Sequence, residues 1–480
     1  MIPRRRCVSI AEAKPFFDAI EASAAVPPFS TAVTKEVDEA IARAPHRSAD
    51  HPTPWKDRTE VAFVTLDPQG SKDLDQAMAI ERTPDGFRVM YAIADLGAFI
   101  VPGGALDAAT RERGSTVYLP DRRLPLHPEA LSEGAASLLP GEERPALIWD
   151  LCLDREGVVQ SVALDRAMVR SRDAFAYADV QKKLDASHAP EVFVLLAEVG
   201  ALRQRLERAR GAINLALPDQ ELEKTADGWE LEYRAPLSIE ECNAQISLMV
   251  GMEAARILIG AGVGLLRVMP PPDSATVQWL RGIARVLEID WPKGASYQEV
   301  VREQRGDTPS SAAFVTQAAR LLRGAGYEAI TEVGVGAVQS AVAAPYAHVT
   351  APLRRLGDRF NNEMLLAITA GQTPPLWAVE ALGTLPQDLT AAARRSSAVE
   401  RAVVDLIEAL LLERSVGARL TGWVVNASHD HSRVDVQIAD PAIMTRLTAP
   451  GVALGESITV KVNASNPIQR TVDLSIVDEE

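Results

Sequence analysis

Residues 65–78 read TLDPQGSKDLDQAM. The stretch follows the β-rich run VAFV (61–64) and leads into QAMAIERTPDGFRVMYAIAD (76–95), which reads as strand, Pro-Asp-Gly turn, strand. Asp67, Asp73 and Asp75 crowd into nine residues, and Gln76 follows at once. Asp73 and Asp75, two apart, point to the same side of an extended chain. PQGSK is turn-forming and brings Asp67 back alongside. Carboxylates this close repel one another unless a positive charge sits among them. A hard divalent cation is one answer. Mg²⁺ takes oxygen ligands and is usually held by one or two carboxylates plus substrate phosphate. Two such ions can clamp the attacking and leaving oxygens of a phosphodiester. A polar turn whose acids cap helices or face water is the other reading, and on nine residues alone it is the commoner one.

The 480 residues are enough for two or three domains. A hydrophobic fraction of 47% and a charged fraction of 24% fit a soluble globular protein. The basic start MIPRRRCVSIAEAKPFF lacks the apolar core of a signal peptide. The apolar run ISLMVGMEAARILIGAGVGLL is interrupted by Glu253 and Arg256, so a buried helix is expected and no membrane partner. Cys7, Cys152 and Cys242 are too few and too scattered for a zinc module or a disulfide framework, which points to the cytoplasm. No Gly-Lys-Ser/Thr loop suggests a nucleotide cofactor, and none of the seven histidines pairs with Ser or Cys in a nucleophile motif. A net charge of −15 argues against a nucleic-acid partner only if charge is evenly spread. Arg4–Arg6, Arg122–Arg123, Arg354–Arg355 and Arg394–Arg395 can line one channel; the plain alternative for each pair is a solvated surface.

Along the chain, residues 1–55 read as a helical segment. SIAEAKPFFDAIEASAA has helical apolar spacing, VPPFS breaks it, and TAVTKEVDEAIARA follows with Thr31 or Thr34 as its cap. PHRSADHPTPWKDRTE reads as a linker. Residues 56–413 form a long mixed block, increasingly helical from SIEECNAQISLM onward. Residues 416–480 alternate like paired strands, and five short strands in about 65 residues suggest a small all-β barrel of the OB type.

The cluster then gains its context. YAIADLGAFIVPGGALDAATRERGSTVYLPDRRLPLHPEALSEGAASLLPGEERPAL and SAVAAPYAHVTAPLRRLGDRFNNEML, in this order after the aspartates, resemble blocks of the ribonuclease II / ribonuclease R (RNB) family of 3′→5′ exoribonucleases. The resemblance runs from FVTLDPQGSKDLDQAM to the chain end. It implies an α/β (α+β) RNB catalytic domain, a C-terminal S1-type OB-fold barrel and, in place of the family's two N-terminal cold-shock domains, only the short helical segment. It implies processive hydrolysis of single-stranded RNA from the 3′ end to nucleoside 5′-monophosphates, with one or two Mg²⁺ ions, Mn²⁺ as a substitute, and a monomeric chain. Asp67 and Asp73 fall on metal-holding acids, and Asp75 on the acid that orients a second metal or the attacking water. Tyr118 matches an aromatic that stacks on RNA, Tyr177 a tyrosine near the scissile linkage, and Arg354 the arginine that meets the scissile phosphate. Arg355 is expected at the neighbouring phosphate and Glu400 in the same cavity. For Tyr118, and for Phe175 in RDAFAYADV, core packing is the plain alternative.

Several departures qualify the resemblance. Gln76 stands where many members carry a fourth metal-binding aspartate; its carbonyl offers an oxygen without charge, so weaker metal affinity is expected, with an inactive RNA-binding regulator as the alternative. The family's Glu-Glu is expected in CNAQISL, where Gln245 is then the group that meets a ribose 2′-hydroxyl. Leu215 is placed opposite the stacking tyrosine. The tail carries Trp423 as its one aromatic and five Lys/Arg against eight Asp/Glu, a balance that suits a steric role better than tight RNA binding. For the N-terminal helices, packing and a helix-turn-helix-like RNA guide, with Arg4–Arg6 near phosphate, are equally open.

Overall fold

A computed structural model describes residues 7–50, 55–213, 215, 219–226, 228–304, 306–428, 433–448 and 451–477, with backbone alone at 45–50 and 219. Arg4–Arg6 lie outside the described residues.

Two helices come first, α1 (Ile10–Ala24) and α2 (Thr31–Asp50). Ser9 caps α1 by accepting the Glu12 N–H. Ser30 does the same for Val33, so the cap of α2 lies one residue before Thr31. α2 also runs through Pro45 into the stretch expected as a linker. The two helices cover different cores. Ala13, Phe17 and Ile20 of α1 join Trp229, Val399, Val403 and Leu406, with Phe17 edge-on to Trp229 at 6.1 Å. Val33, Val37 and Ala40 of α2 join Phe63, Leu74 and Ala92.

The central block is built on a closed five-stranded barrel: β1 (Lys56–Asp67), β2 (Gln76–Thr83) and β3 (Gly86–Ala94), then, after α3 (Ala105–Arg113) and the short pair β4 (Val117–Tyr118) and β5 (Arg123–Leu124), β6 (Glu143–Asp154) and β7 (Val159–Ala176). Neighbours are antiparallel except at the closure, where β7 returns parallel to β1. The expected hairpin is β2–β3. Gly86 is obligatory at its turn, because a Cβ there would lie 2.2 Å from the Leu153 carbonyl oxygen. Period 2 divides β3 between two cores. Val89, Tyr91 and Ile93 pack with Leu147, Trp149 and Leu151; Met90, Ala92 and Ala94 pack with Phe63, Ala77 and Ile148. A strand covered on both faces is apolar at nearly every position, as β3 is.

Next come α4 (Tyr177–Asp185), α5 (Glu191–Arg210), the pair β8 (Asp219–Lys224) and β9 (Trp229–Arg234), and α6 (Ser238–Ala261). By length and composition α6 is apolar enough to cross a membrane. In the fold, its Ile246, Met249, Val250, Ala254 and Leu258 are buried in the main core. Around it lie β10 (Gly264–Val268), α7 (Ser274–Val286), α8 (Tyr297–Glu303), α9 (Pro309–Ala318), β11 (Gly326–Ile330), α10 (Leu356–Thr369), α11 (Leu376–Ala381) and α12 (Leu385–Glu413).

The last five strands, β12 (Arg419–Ala427), β13 (Arg433–Ile438), β14 (Ile443–Thr448), β15 (Ser457–Asn466) and β16 (Thr471–Ile476), form the expected OB-type sheet in the order β14-β13-β12-β15-β16. Val424, Val434, Val436, Ile443, Val460 and Val462 fill its interior. Gln317 of α9 ties it to the central block, donating to the Val425 carbonyl at 2.6 Å.

Candidate active site

The aspartate cluster lies at the mouth of the barrel. β1 ends on Asp67, and the chain reverses over 68–71, where Gly70 adopts φ +83°. Residues 71–75 then run without regular structure and are pinned from one side. Leu74 donates its N–H to Ser137 Oγ at 2.9 Å, and that hydroxyl donates to the Lys72 carbonyl at 2.6 Å. Leu74 is buried in the core. The two aspartates flanking it are therefore fixed by one hydroxyl and one apolar side chain.

The cluster opens into a cavity of about 900 Å³. Asp67, Asp73, Asp75, Gln76, Tyr118, Tyr177, Arg354 and Arg355 all line it, so most of the residues expected at the site are brought together. Three are not. Gln245 is 6% exposed and donates to Glu207 of α5 at 2.9 Å, on another face of α6 from the cavity. Glu400 is exposed on α12, outside the cavity lining. Trp423 is half-buried in the OB sheet, opposite Gln437 and Ser457. Leu215 packs with Leu280 and Phe314 in a separate core, so the apolar cavity residues near Tyr118 are Leu119 and Pro120 instead.

The three carboxylates have different partners. Asp75 is 2% exposed; its Oδ1 accepts the Leu353 N–H at 2.7 Å and its Oδ2 accepts Arg354 Nε at 3.2 Å. Burial pushes its pKa up to about 7 against the opposing pull of Arg354. Asp73 is ion-paired with Arg123 and receives the Tyr118 hydroxyl at 3.4 Å. Arg123 is the cross-strand partner of Tyr118 in the β4–β5 pair and also meets Glu133 at 2.5 Å. Arginines thus supply the positive charge that the cluster requires at two of its three acids. Asp67 has no hydrogen-bond donor among the described residues; burial raises its pKa to about 6, Arg354 opposes this, and Asp73 adds to it. Among the described residues no three His, Cys, Asp or Glu side chains form a ready cation cluster. Asp67, a largely desolvated carboxylate beside a second one and without a donor of its own, does fit a hard divalent cation.

Gln76 is held at both ends. Its Oε1 accepts the hydroxyl of fully buried Tyr91 at 3.0 Å, and its Nε2 donates to the Thr350 carbonyl at 2.5 Å. It therefore joins β2 to the segment that carries Arg354. That segment is itself cross-braced. Ser247 and Thr350 share a hydroxyl contact at 2.7 Å, Arg355 meets Asp358 at 2.8 Å, and Asp358 accepts the Ala351 N–H at 2.8 Å. Arg355 is committed to this brace, whereas the Arg354 side chain is 49% exposed and reaches the cavity.

Sequence reasoning missed Glu240, Asn243 and Thr350, which also line the cavity, and saw Arg123 only as half of a basic pair. Asn243 Nδ2 donates to the Tyr177 hydroxyl at 2.8 Å. Glu240 is paired with Arg234 at 2.8 Å and, with Glu241, forms a Glu-Glu pair immediately before CNAQISL in the same helix. Glu240 lines the cavity and Gln245, five residues later in the helix, does not. The arginine pairs have divided partners: Arg122 and Arg123 both line the cavity, but Arg122 is ion-paired with Asp18 and Glu21 and Arg123 with Asp73, while Arg395 donates to the Arg113 carbonyl and Arg394 is left exposed.

The model of the RNB domain matches residues 55–371. The chain belongs to the RNB family. The C-terminal S1 domain of RNase II-type exonucleases matches residues 418–477 of this RNB protein, which places the OB sheet as well. Ribonuclease R of Escherichia coli (strain K12) is 25% identical across 88% of the RNB protein and 57% of its own length. The chain thus spans a little over half the length of the curated relatives it matches. Ribonuclease R of Mycoplasma genitalium, solved in complex with ribose methylated single-stranded RNA, superimposes with a TM-score of 0.83 at 21% identity, over 96% of this chain and 77% of that one. Yeast Ssd1, a pseudonuclease, does so with a TM-score of 0.66 at 16% identity, over 88% and 53%. At these identities the structural likeness shows the fold. RNB nucleases are in general metal-dependent.

Proposed function

We propose that this RNB protein is an exoribonuclease that degrades single-stranded RNA processively from its 3′ end and releases nucleoside 5′-monophosphates. The carrying observation is Asp75: a carboxylate 2% exposed, held between a backbone N–H and Arg354, on the wall of a cavity that also holds Asp67 and two tyrosines. Such a carboxylate has a fixed direction and a pKa near neutrality, suited to taking a proton from an attacking water. Arg354 places a guanidinium where charge grows on the phosphate. Tyr118, 47% exposed, offers a stacking face that any base can use. Asn243 fixes the Tyr177 hydroxyl beside the backbone. Asp67 and Asp73 would hold divalent metal, Mg²⁺ in the first instance, with Gln76 as a neutral auxiliary. That ion, when bound, supplies phosphate neutralisation and a more acidic water. The protein acts as a monomer, since one chain contains every group named, and its few, scattered cysteines suit the cytoplasm.

A second reading is favoured by one observation. Both ends of the Gln76 amide are engaged, by Tyr91 and Thr350, so the position is built as a brace. An RNA-binding protein without hydrolysis would keep such a brace. Chromatography of products from oligo-RNA and oligo-DNA in Mg²⁺ or Mn²⁺ separates the readings. Nucleoside 5′-monophosphates from RNA support the exonuclease; intact RNA that remains bound supports the regulator; equal release from DNA removes the RNA assignment.

A further inference from the structure

We propose that a groove between α12 and the β10–β11 pair is a second phosphate-binding surface, which holds the backbone of single-stranded RNA outside the carboxylate cavity. The groove, about 480 Å³, is lined by Arg267, Tyr327, Thr390, Arg394, Ser397 and Arg401 among others, and no carboxylate lines it. Thr390, Arg394, Ser397 and Arg401 fall at i, i+4, i+7 and i+11 of α12, one face of the helix. Arg394 and Arg401 are both exposed and stand about 10 Å apart along the axis. Arg267 faces them from β10. It is the ladder partner of Tyr327, and its guanidinium sits 4.8 Å from the centre of that ring.

The charge pattern decides the class of ligand. Several other surface arginines are matched: Arg82 with Glu198, Arg88 with Asp150, Arg170 with Glu143. Among the described residues Arg267, Arg394 and Arg401 have no ion-pair partner. Asp405, one turn beyond Arg401, faces Arg401 and Arg470 together. Exposed Glu328 and Glu400 are neighbours in sequence but do not line the groove. On a chain of net charge −15, three convergent guanidinium groups without a lining acid form a local site for phosphate. Hydroxyls of Thr390 and Ser397 add neutral donors. Arg267 is held in place by its stack on Tyr327 and by donating to the Gly326 carbonyl at 3.4 Å.

The groove also lies close to the cavity. The Tyr327 hydroxyl contacts His348 Nδ1 at 2.9 Å, and Thr350, two residues on, lines the cavity. The inference rests on the RNA-degrading reading above for its choice of ligand, and it is tested by binding instead of cleavage. Arg394→Glu with Arg401→Glu alters two exposed side chains, and circular dichroism checks the fold. Affinity for a fluorescent single-stranded RNA of about 30 nucleotides is measured in EDTA across a salt series, so that no turnover occurs. Loss of two phosphate contacts lowers the slope of log affinity against log salt by about 1.4, with affinity at least tenfold weaker at low salt. The double Arg→Lys variant keeps the slope. Unchanged affinity and slope overturn the proposal. Loss confined to duplex RNA overturns its choice of ligand. Failure of wild-type protein to release mononucleotides counts against the exonuclease reading and leaves this slope to be judged by itself.

Discussion

Arg354 Nε donates to Asp75 Oδ2 at 3.2 Å, joining groups 279 residues apart in the chain. The adjacent Leu353 N–H donates to the other oxygen at 2.7 Å, so one carboxylate holds two consecutive residues of the arginine-bearing segment. The same contact places a buried acid and an exposed guanidinium on one cavity wall, which is the arrangement phosphodiester hydrolysis needs.

Gln76 should behave as a brace before anything else. Gln76→Ala leaves the buried Tyr91 hydroxyl and the Thr350 carbonyl without their partner. A loss of about 1–3 kcal/mol in urea unfolding is expected. Gln76→Asp exchanges the donated hydrogen bond for a charge next to Asp75. It should also lower stability, yet bind Mn²⁺ more tightly than wild type by calorimetry. Equal Mn²⁺ affinity would remove Gln76 from the metal's surroundings.

Tyr118 should contribute to RNA affinity through its ring. Tyr118→Ala is expected to weaken binding of single-stranded RNA by about 1–3 kcal/mol, whereas Tyr118→Phe stays near wild type. Fluorescence anisotropy in EDTA reads this without turnover. A Phe variant as weak as the Ala variant would shift the role to the hydroxyl that meets Asp73 at 3.4 Å.

Gln245 should have no part in telling RNA from DNA, because its amide is committed to Glu207. Gln245→Ala therefore keeps the wild-type ratio of RNA to DNA cleavage. Glu240→Ala, inside the cavity, is expected to reduce that ratio. Paired cleavage assays on matched oligonucleotides check both, and a changed ratio for Gln245→Ala alone would restore the sequence-based placement.

Glu408 gives a pH test away from the site. Burial raises its pKa to about 7, although Gln220 at 2.8 Å and the Met444 N–H at 3.1 Å donate to it. The folded protein then holds this proton more tightly than the unfolded chain. Its contribution is fully present below the ordinary carboxylate pKa and is lost as pH rises through about 7. Glu408→Gln should match wild type near pH 4 and gain on it up to about pH 7, by about 1–3 kcal/mol, then hold steady. Thermal melts across that range measure it. A constant offset at all pH values would contradict the shift.

Local pattern and motif were legible in the sequence wherever a signal lies within a few residues. The β2–β3 hairpin, the acidic turn, the OB strands and the burial of α6 all have such signals. The parallel closure of β1 on β7 was not, since it pairs strands separated by about a hundred residues with no turn to announce it. Within the site, Asp67, Asp73, Asp75 and Arg354 were placed because each sits in a short motif. Arg123 was seen only as half of a basic pair; its function depends on the β4–β5 register that sets it opposite Tyr118. Gln245 was placed at the site because a helix offers several faces to one motif, and only packing against α5 shows that its face turns away from the cavity.

Asp75 carries the central claim, and Asp75→Asn tests it most directly. The substitution keeps an oxygen for the Leu353 N–H and removes the charge. A time course on 5′-labelled single-stranded RNA with Mg²⁺ should show wild type shortening the RNA from the 3′ end to a small 5′ remnant. The variant should be slower by about 10²–10⁴-fold at unchanged RNA affinity. Shortening at the wild-type rate by Asp75→Asn, or intact RNA with wild type in both Mg²⁺ and Mn²⁺, would contradict it.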